Sequence, residues 1–405
     1  MKIAIIRGPN LNPYEMQSYL PLAKEHALFG FATRGAPFCE DNTEMKVSYL
    51  SSPARLTAKV PAPLRRITRR LLSRGLGAAW TWMFGLEKRL QGMDIIHTAE
   101  TANGYSFQAL RAKRKWGGAL VVTAWETIPF NFENHAFSRY VKREVSAAAD
   151  HFIAVTERAR ECLQAEGVEA SRISVIPAGI DLQRFQPGPA DSSLRAALNL
   201  KDHIPTVLFM GRLVREKGVH DLLESLHHIR LHFGLQANLL MVGEGRERRR
   251  LAEKARRFGL EKSLHLQPPW RYEKTPDIYR LADVFVLPSR STRDWEEQFG
   301  MVLVEAMACG LPIVGTRSGA ISEVVGEAGI LVEPDSPVRL AEGIARLLRS
   351  AELRKSLSTS GIRRAKKQFS HMQVSRHIEE VYQMVFEKAH GVATVCPRLS
   401  ESEIG

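Results

Sequence analysis

The chain has little cysteine. Cys39, Cys162, Cys309 and Cys396 are scattered through 405 residues with no paired spacing. That pattern supports neither a disulfide framework nor a zinc site, and it fits a reducing compartment such as the cytoplasm. Long apolar runs are missing too. The run Ile3-Ala4-Ile5-Ile6 is four residues long, which suits an opening strand and not a secretory signal. The uncharged stretch Gly75 to Leu86 falls well short of the roughly 18 residues a membrane span needs, so any membrane contact is expected to be peripheral. No Asp-x-Asp triplet occurs, and Met45 to Leu86 contains no Asp or Glu at all. No metal site is expected.

What remains is the composition of an ordinary globular protein, 44% hydrophobic and 25% charged, long enough for two domains with separate cores. Short apolar runs at Lys2 to Ile6, Asp94 to His97, Leu120 to Thr123, His151 to Thr156 and Ile173 to Ile176 read as strands of a first half, with Glu157 to Gly167 as a helix. Gln186 to Pro205, with Pro187, Gly188, Pro189 and Asp191-Ser192-Ser193, has loop chemistry around one short helix. The pattern predicts an α/β protein of two doubly wound halves, 1–185 and 206–365, joined by 186–205. A helical tail runs from Arg363 to His390 and a frayed end from 391 to 405. Proteins of this class hold ligands in a cleft beyond the strand C-termini.

Within the second half, Asp283 to Ser289 reads as a buried strand, and Gly300 onward through Met301, Val302, Leu303 and Val304 as a nearly all-apolar helix. The start of such a helix offers unpaired N–H groups and the positive end of a dipole, a good seat for phosphate. Glu297 lies just before that start and Glu305 inside the helix. A diphosphate there would have room for a hydroxyl-bearing group on either side, each held by one carboxylate. Spacing alone leaves open a solvated glutamate and an unrelated cap. Upstream, strand Thr206 to Met210 is followed by Gly211-Arg212-Leu213-Val214-Arg215-Glu216-Lys217-Gly218, in which Arg212 and Lys217 suit a polyphosphate. Glu216 and Gly218 flank the lysine where a P-loop needs glycine before it and Ser or Thr after it, which argues against a nucleotide triphosphatase.

Taken with Val242-Gly243-Glu244-Gly245, Pro288-Ser289, Phe299-Gly300, Glu305-Ala306-Met307-Ala308-Cys309-Gly310 and Gly319-Ala320-Ile321-Ser322-Glu323, these segments resemble the C-terminal half of a retaining glycosyltransferase of the GT-B fold, the family 4 group, over most of residues 170 to 385. The resemblance implies two Rossmann-like domains facing a central cleft, with the C-terminal helix at about 370–390 crossing back to the first domain. It implies that Arg212 and Lys217 hold the donor diphosphate, Glu305 the ribose hydroxyls, and Glu297 the 3- and 4-hydroxyls of the transferred sugar. The amides of Phe299, Gly300, Met301 and Val302 would complete the cradle. The donor is expected to be a UDP- or GDP-sugar, with no separate cofactor. The missing Asp-x-Asp argues against the other common glycosyltransferase architecture.

On the acceptor side the chain departs from the family. One glycine and two prolines stand in Arg7-Gly8-Pro9-Asn10-Leu11-Asn12-Pro13, where members often have a glycine-rich loop. Trp125 stands where many have a histidine. Glu126 beside it is expected either to meet an acceptor hydroxyl and support charge near the anomeric carbon, or to be a surface glutamate. His97 and Glu100 are further cleft candidates, although a lone histidine is more often hydrogen-bonded within the fold.

The acid-free stretch carries Arg65, Arg66, Arg69 and Arg70 on a segment whose Leu64, Ile67, Leu71 and Leu72 share a helical face, followed by Trp80 and Trp82. With a net charge of +13, it reads either as a patch for anionic lipid or as an ordinary amphipathic helix. Three functions follow. One is a glycosyltransferase acting on a lipid-linked or polysaccharide acceptor at the inner face of the plasma membrane. The second is a GT-B subunit that binds without transferring. The third, nucleic-acid binding, has only charge in its favour and no recognisable module.

Overall fold

The computed structural model describes residues 1–35, 44–53, 75–201 and 203–391, together with single positions 60, 64, 68 and 72. Thirteen strands among these form two wholly parallel sheets. The first contains β1 (Lys2–Gly8), β2 (Ala27–Thr33), β3 (Lys46–Leu50), β4 (Ile95–Ala99), β5 (Ala119–Ala124), β6 (His151–Ala154) and β7 (Ile173–Val175), ordered β3-β2-β1-β4-β5-β6-β7. The second contains β8 (Thr206–Met210), β9 (Asn238–Val242), β10 (Leu264–Gln267), β11 (Val284–Leu287), β12 (Ile313–Thr316) and β13 (Gly329–Val332), ordered β10-β9-β8-β11-β12-β13. Each order reverses direction beside its first strand, the topology of a doubly wound nucleotide-binding domain.

The central strands are apolar on both faces because both are covered, as parallel sheets require. Alternate residues separate the two sides. Ala4, Ile6, Leu120 and Val122 join one core with Ala109 and Leu110 of helix Gly104–Trp116 and Val141 and Val145 of helix Ala136–Ala148. Ile3, Ile5 and Val121 join another with Val374, Ile378, Val381 and Tyr382. These last residues belong to helix His371–His390, which crosses back onto the first half.

The expected single helical tail is two helices, Ala351–Gln368 and His371–His390. The break falls where the Phe369 carbonyl accepts from Ile180 N at 2.8 Å and His371 N donates to the Ile180 carbonyl at 3.0 Å. Those bonds pin the chain to the joint between the halves. β2 and β3 were not anticipated from the sequence; β3 lies inside the acid-free stretch. No helix among the described residues is long and apolar enough to cross a membrane.

Candidate functional site

Neighbouring strands β8 and β11 flank the point where the second sheet reverses direction, and both loops leaving their C-terminal ends reach the cleft. Two glycines permit the close approach. At Gly218 (φ 64°) a Cβ would stand 1.8 Å from the Pro288 carbonyl oxygen, and at Gly319 (φ 53°) one would stand 2.0 Å from that of Glu297. Any side chain there would force the loops apart.

The packing sets Lys217 Nζ 2.6 Å from Glu297 Oε2, with side-chain exposures of 14% and 8%. Ser289 Oγ donates to the same oxygen at 2.7 Å, and the ammonium lies 5.3 Å from the centre of the Trp295 ring, a cation–π distance. The two residues assigned to opposite ends of a donor thus neutralise one another across adjoining loops. Arg212 is exposed and its side chain has no hydrogen bond or ion pair among the described residues, so a cation is available to an incoming anion. Gly300 (φ 82°) precedes helix Met301–Ala308; the Leu303 amide bonds back to the Gly300 carbonyl at 2.8 Å, while the Met301 and Val302 amides have no earlier turn to bond.

Glu305 is buried, and Tyr279 donates to its Oε2 at 2.6 Å. Burial pushes its carboxyl up to about 7, against the pull of hydrogen bonds from Tyr279 and Tyr272. Tyr272 in turn accepts from Gln17 Nε2 of the first half at 2.8 Å. Neither tyrosine was singled out from the sequence; both lie in two short helical segments before β11, Tyr272–Lys274 and Thr275–Tyr279, where no spacing marks them.

Across the cleft, Trp125 follows β5 and packs edge-on to Phe299, ring centres 5.9 Å apart. Phe299 also meets Phe369 at 5.8 Å, so its ring joins the halves. Trp125 N donates to Glu100 Oε1 at 2.9 Å. Glu100 directly follows β4 in a left-handed conformation (φ 62°), a strained backbone of the type that gathers at functional sites. Burial raises its carboxyl to about 8, opposed by the Trp125 amide and reinforced by Glu126. Glu126 bonds its own loop: Oε1 accepts from Thr127 N at 3.0 Å and Ile128 N at 2.9 Å, and Oε2 from Asn131 Nδ2 at 3.1 Å. Those bonds make it a loop-shaping carboxylate.

Comparison with known proteins bears on this geometry. The family described as "Glycosyl transferases group 1" matches residues 191–364, and "Glycosyltransferase Family 4" matches 38–184. A D-inositol 3-phosphate glycosyltransferase from Salinispora arenicola (strain CNS-205) is 30% identical over 332 residues, covering 76% of this chain and 71% of the relative. The chain belongs to glycosyltransferase family 4, of the group 1 type. A D-inositol 3-phosphate glycosyltransferase from Xylanimonas cellulosilytica is 32% identical over 253 residues, covering 60% of this chain. The chain spans 58%, 59% and 50% of the length of three of the curated relatives it matches. Anabaena HepE in complex with UDP has the same fold, with a TM-score of 0.73 at 19% identity over 95% of this chain and 100% of that one.

One expectation for this family 4 chain meets a different structure, and the membrane patch is only partly described. His97 does not face the cleft: it is fully buried, with Nδ1 2.5 Å from the Tyr382 hydroxyl and Nε2 2.7 Å from Thr123 Oγ1. Burial, helped by the nearby Arg7, holds its pKa well below the usual range, so it is a neutral core histidine. Trp80 and Trp82 are half-buried and Met83 fully buried. The Met83 amide donates to Gln108 of helix Gly104–Trp116, so this apolar run is partly spent on packing. Arg65, Arg66, Arg69 and Arg70 lie outside the described residues.

A further residue was missed. Arg7, at an irregularity of register late in β1, is buried to 1% exposure; its Nη2 donates to the Tyr19 hydroxyl at 2.8 Å, and its Nε lies 3.6 Å from Glu15 Oε2. An arginine directly before Gly8-Pro9 was its only signal.

Proposed function

We propose that this chain transfers a sugar from a nucleoside diphosphate sugar to an acceptor hydroxyl with retention of configuration and without a metal ion. The observation that carries the reading is the Lys217–Glu297–Ser289 cluster, set at the sheet reversal with the Arg212 side chain, unpaired among the described residues, and beside the start of helix Met301–Ala308. In the reaction the bond from the anomeric carbon to the diphosphate oxygen breaks and its electron pair leaves with the diphosphate. Arg212, Lys217 and the helix amides stabilise the growing charge, usually the largest catalytic contribution. The acceptor oxygen bonds the anomeric carbon from the same face, and its proton passes to the departing diphosphate. No side chain in the cluster suits a covalent nucleophile better than this leaving group guides the attack. Glu297 would align the sugar hydroxyls and Glu305 the ribose. Glu100 and Trp125 line the acceptor side.

A UDP- or GDP-sugar is the proposed donor. HepE structures hold UDP and UDP-glucose, which favours UDP. For the acceptor we favour a lipid-linked or polysaccharide chain met at the inner face of the plasma membrane. Phe84, Phe130 and Phe132 are 56%, 57% and 57% exposed, and the last two flank Asn131, which bonds Glu126. Exposed aromatics of this kind, with Phe84 inside the acid-free stretch of the sequence, fit interfacial contact. The relatives' names favour a second reading, a phosphorylated cyclitol. A thermal-shift screen against UDP-, GDP- and ADP-sugars, followed by transfer assays with inositol 3-phosphate and with a polyprenyl-linked sugar in anionic vesicles, tests both. Stabilisation should follow donor concentration. Absence of stabilisation by every nucleotide sugar would remove the transferase reading and leave no support for a binding subunit either.

A further inference from the structure

Glu297 has an acidic neighbour that bonds the other way. Glu296, 6% exposed, turns to the first half, where Arg158 Nη2 donates to its Oε2 at 2.9 Å and Arg158 Nε to its Oε1. Such a forked pair fixes direction as well as distance. Arg158 stands in the first turn of helix Glu157–Ala165, and that turn carries a second tie. The free amides of Glu157 and Arg158 donate to the Glu323 carboxylate, at 2.7 and 3.4 Å. The loop leading to Glu323 holds Glu297 from its far side, for Ala320 N donates to the Glu297 carbonyl at 2.8 Å. One helical turn of the first half therefore grips the segments on both sides of Glu297. Lys217 and Ser289, which hold the Glu297 carboxylate itself, belong to the second half.

We infer that Arg158 is a positioning residue, which acts through Glu296 to register the first half against the Glu297 carboxylate, so that closing the cleft and aligning the donor sugar are one event. The inference rests on the proposed role of Glu297. Half of the Arg158 side chain is solvent-exposed, but Glu296 is not. Loss of the guanidinium strands a buried carboxylate one residue from the site, and the segment is expected to move to solvate it. Misplacement of an aligning group by about 1 Å is enough to lower turnover roughly 100-fold. Arg212, Lys217 and Glu305 lie in the second half and do not depend on Arg158, so affinity for the nucleoside diphosphate should survive.

The full chain carrying Arg158→Ala is expected to show kcat reduced roughly 10- to 100-fold, with the Kd for UDP within about threefold of the parent. Arg158→Lys, which keeps charge and loses the fork, should fall between. The exchange Arg158→Glu with Glu296→Arg should recover much of what either single change loses. Three results would overturn the inference: turnover of Arg158→Ala within twofold of the parent, UDP affinity lost in step with turnover, or an exchanged pair no better than its singles. If Arg158→Ala does not fold, Glu296→Gln replaces it under the same criteria. Lys217→Ala is measured alongside. Full activity there would sink the site itself, whereas an inactive Lys217→Ala beside a normal Arg158→Ala would sink this inference alone.

Discussion

Replacing Lys217 by Ala should separate the stabilising role of its ion pair from its role in transfer. The pair is short and largely buried at both ends. Removing one partner of a buried pair costs about 3–5 kcal/mol. Here Ser289 still serves Glu297 and one end of the pair retains some water, so the loss should be nearer 2–3 kcal/mol. For a half-molecule of this size that corresponds to a fall in Tm of roughly 5–10 °C. Glu297→Gln should cost less, because an amide keeps the Ser289 bond and the more exposed ammonium can turn to solvent. The double variant should be more stable than Lys217→Ala, since no carboxylate is stranded. Turnover should behave differently. Each change should lower kcat by about 10²–10³-fold, and the double variant should fall far short of the product of the two, because both groups serve one transition state. Differential scanning fluorimetry and a coupled assay of nucleoside diphosphate release measure the two quantities. Near-parental turnover in a Lys217→Ala protein whose Tm has dropped would show the pair to be structural and refute the donor reading.

Two further outcomes follow from the same geometry. Gly218→Ala should destabilise the second half and abolish donor binding, because the new Cβ meets the Pro288 carbonyl; a heat-stable, UDP-binding variant would contradict the loop contact. Glu305 keeps its proton in the folded protein up to about pH 7, whereas the unfolded chain releases it near 4.5. The stabilisation this gives is therefore present below about pH 4.5 and lost as pH rises through 7. Glu305→Gln should flatten the fall of Tm across that window, and an unchanged slope would mean that the carboxyl is already ionised.

The elements most legible in the sequence were those with a local cause. Asp283 to Ser289 and Thr206 to Met210 read as strands because buried parallel strands are apolar on both faces. Gly218 and Gly300 marked the approaches to helices because only glycine adopts the left-handed turn there cheaply. β2 was less visible, with a glycine at its centre and no turn pair beside it. On the acceptor side, spacing along the chain misled. His97 alternates with residues of the same strand as a cleft residue would, yet helix His371–His390, more than 270 residues later, brings Tyr382 onto it and turns it into core.

By its own pattern, then, the chain determined two doubly wound halves and the glycine turns and helix starts at the ends of their strands, because strand burial, turns and helix starts depend on near neighbours. Tertiary structure alone decided how those groups are paired. Lys217 with Glu297, Tyr279 with Glu305 and Arg158 with Glu296 lie 80, 26 and 138 residues apart. Contacts of that span are set by how sheets and halves pack, for which local propensity carries no signal.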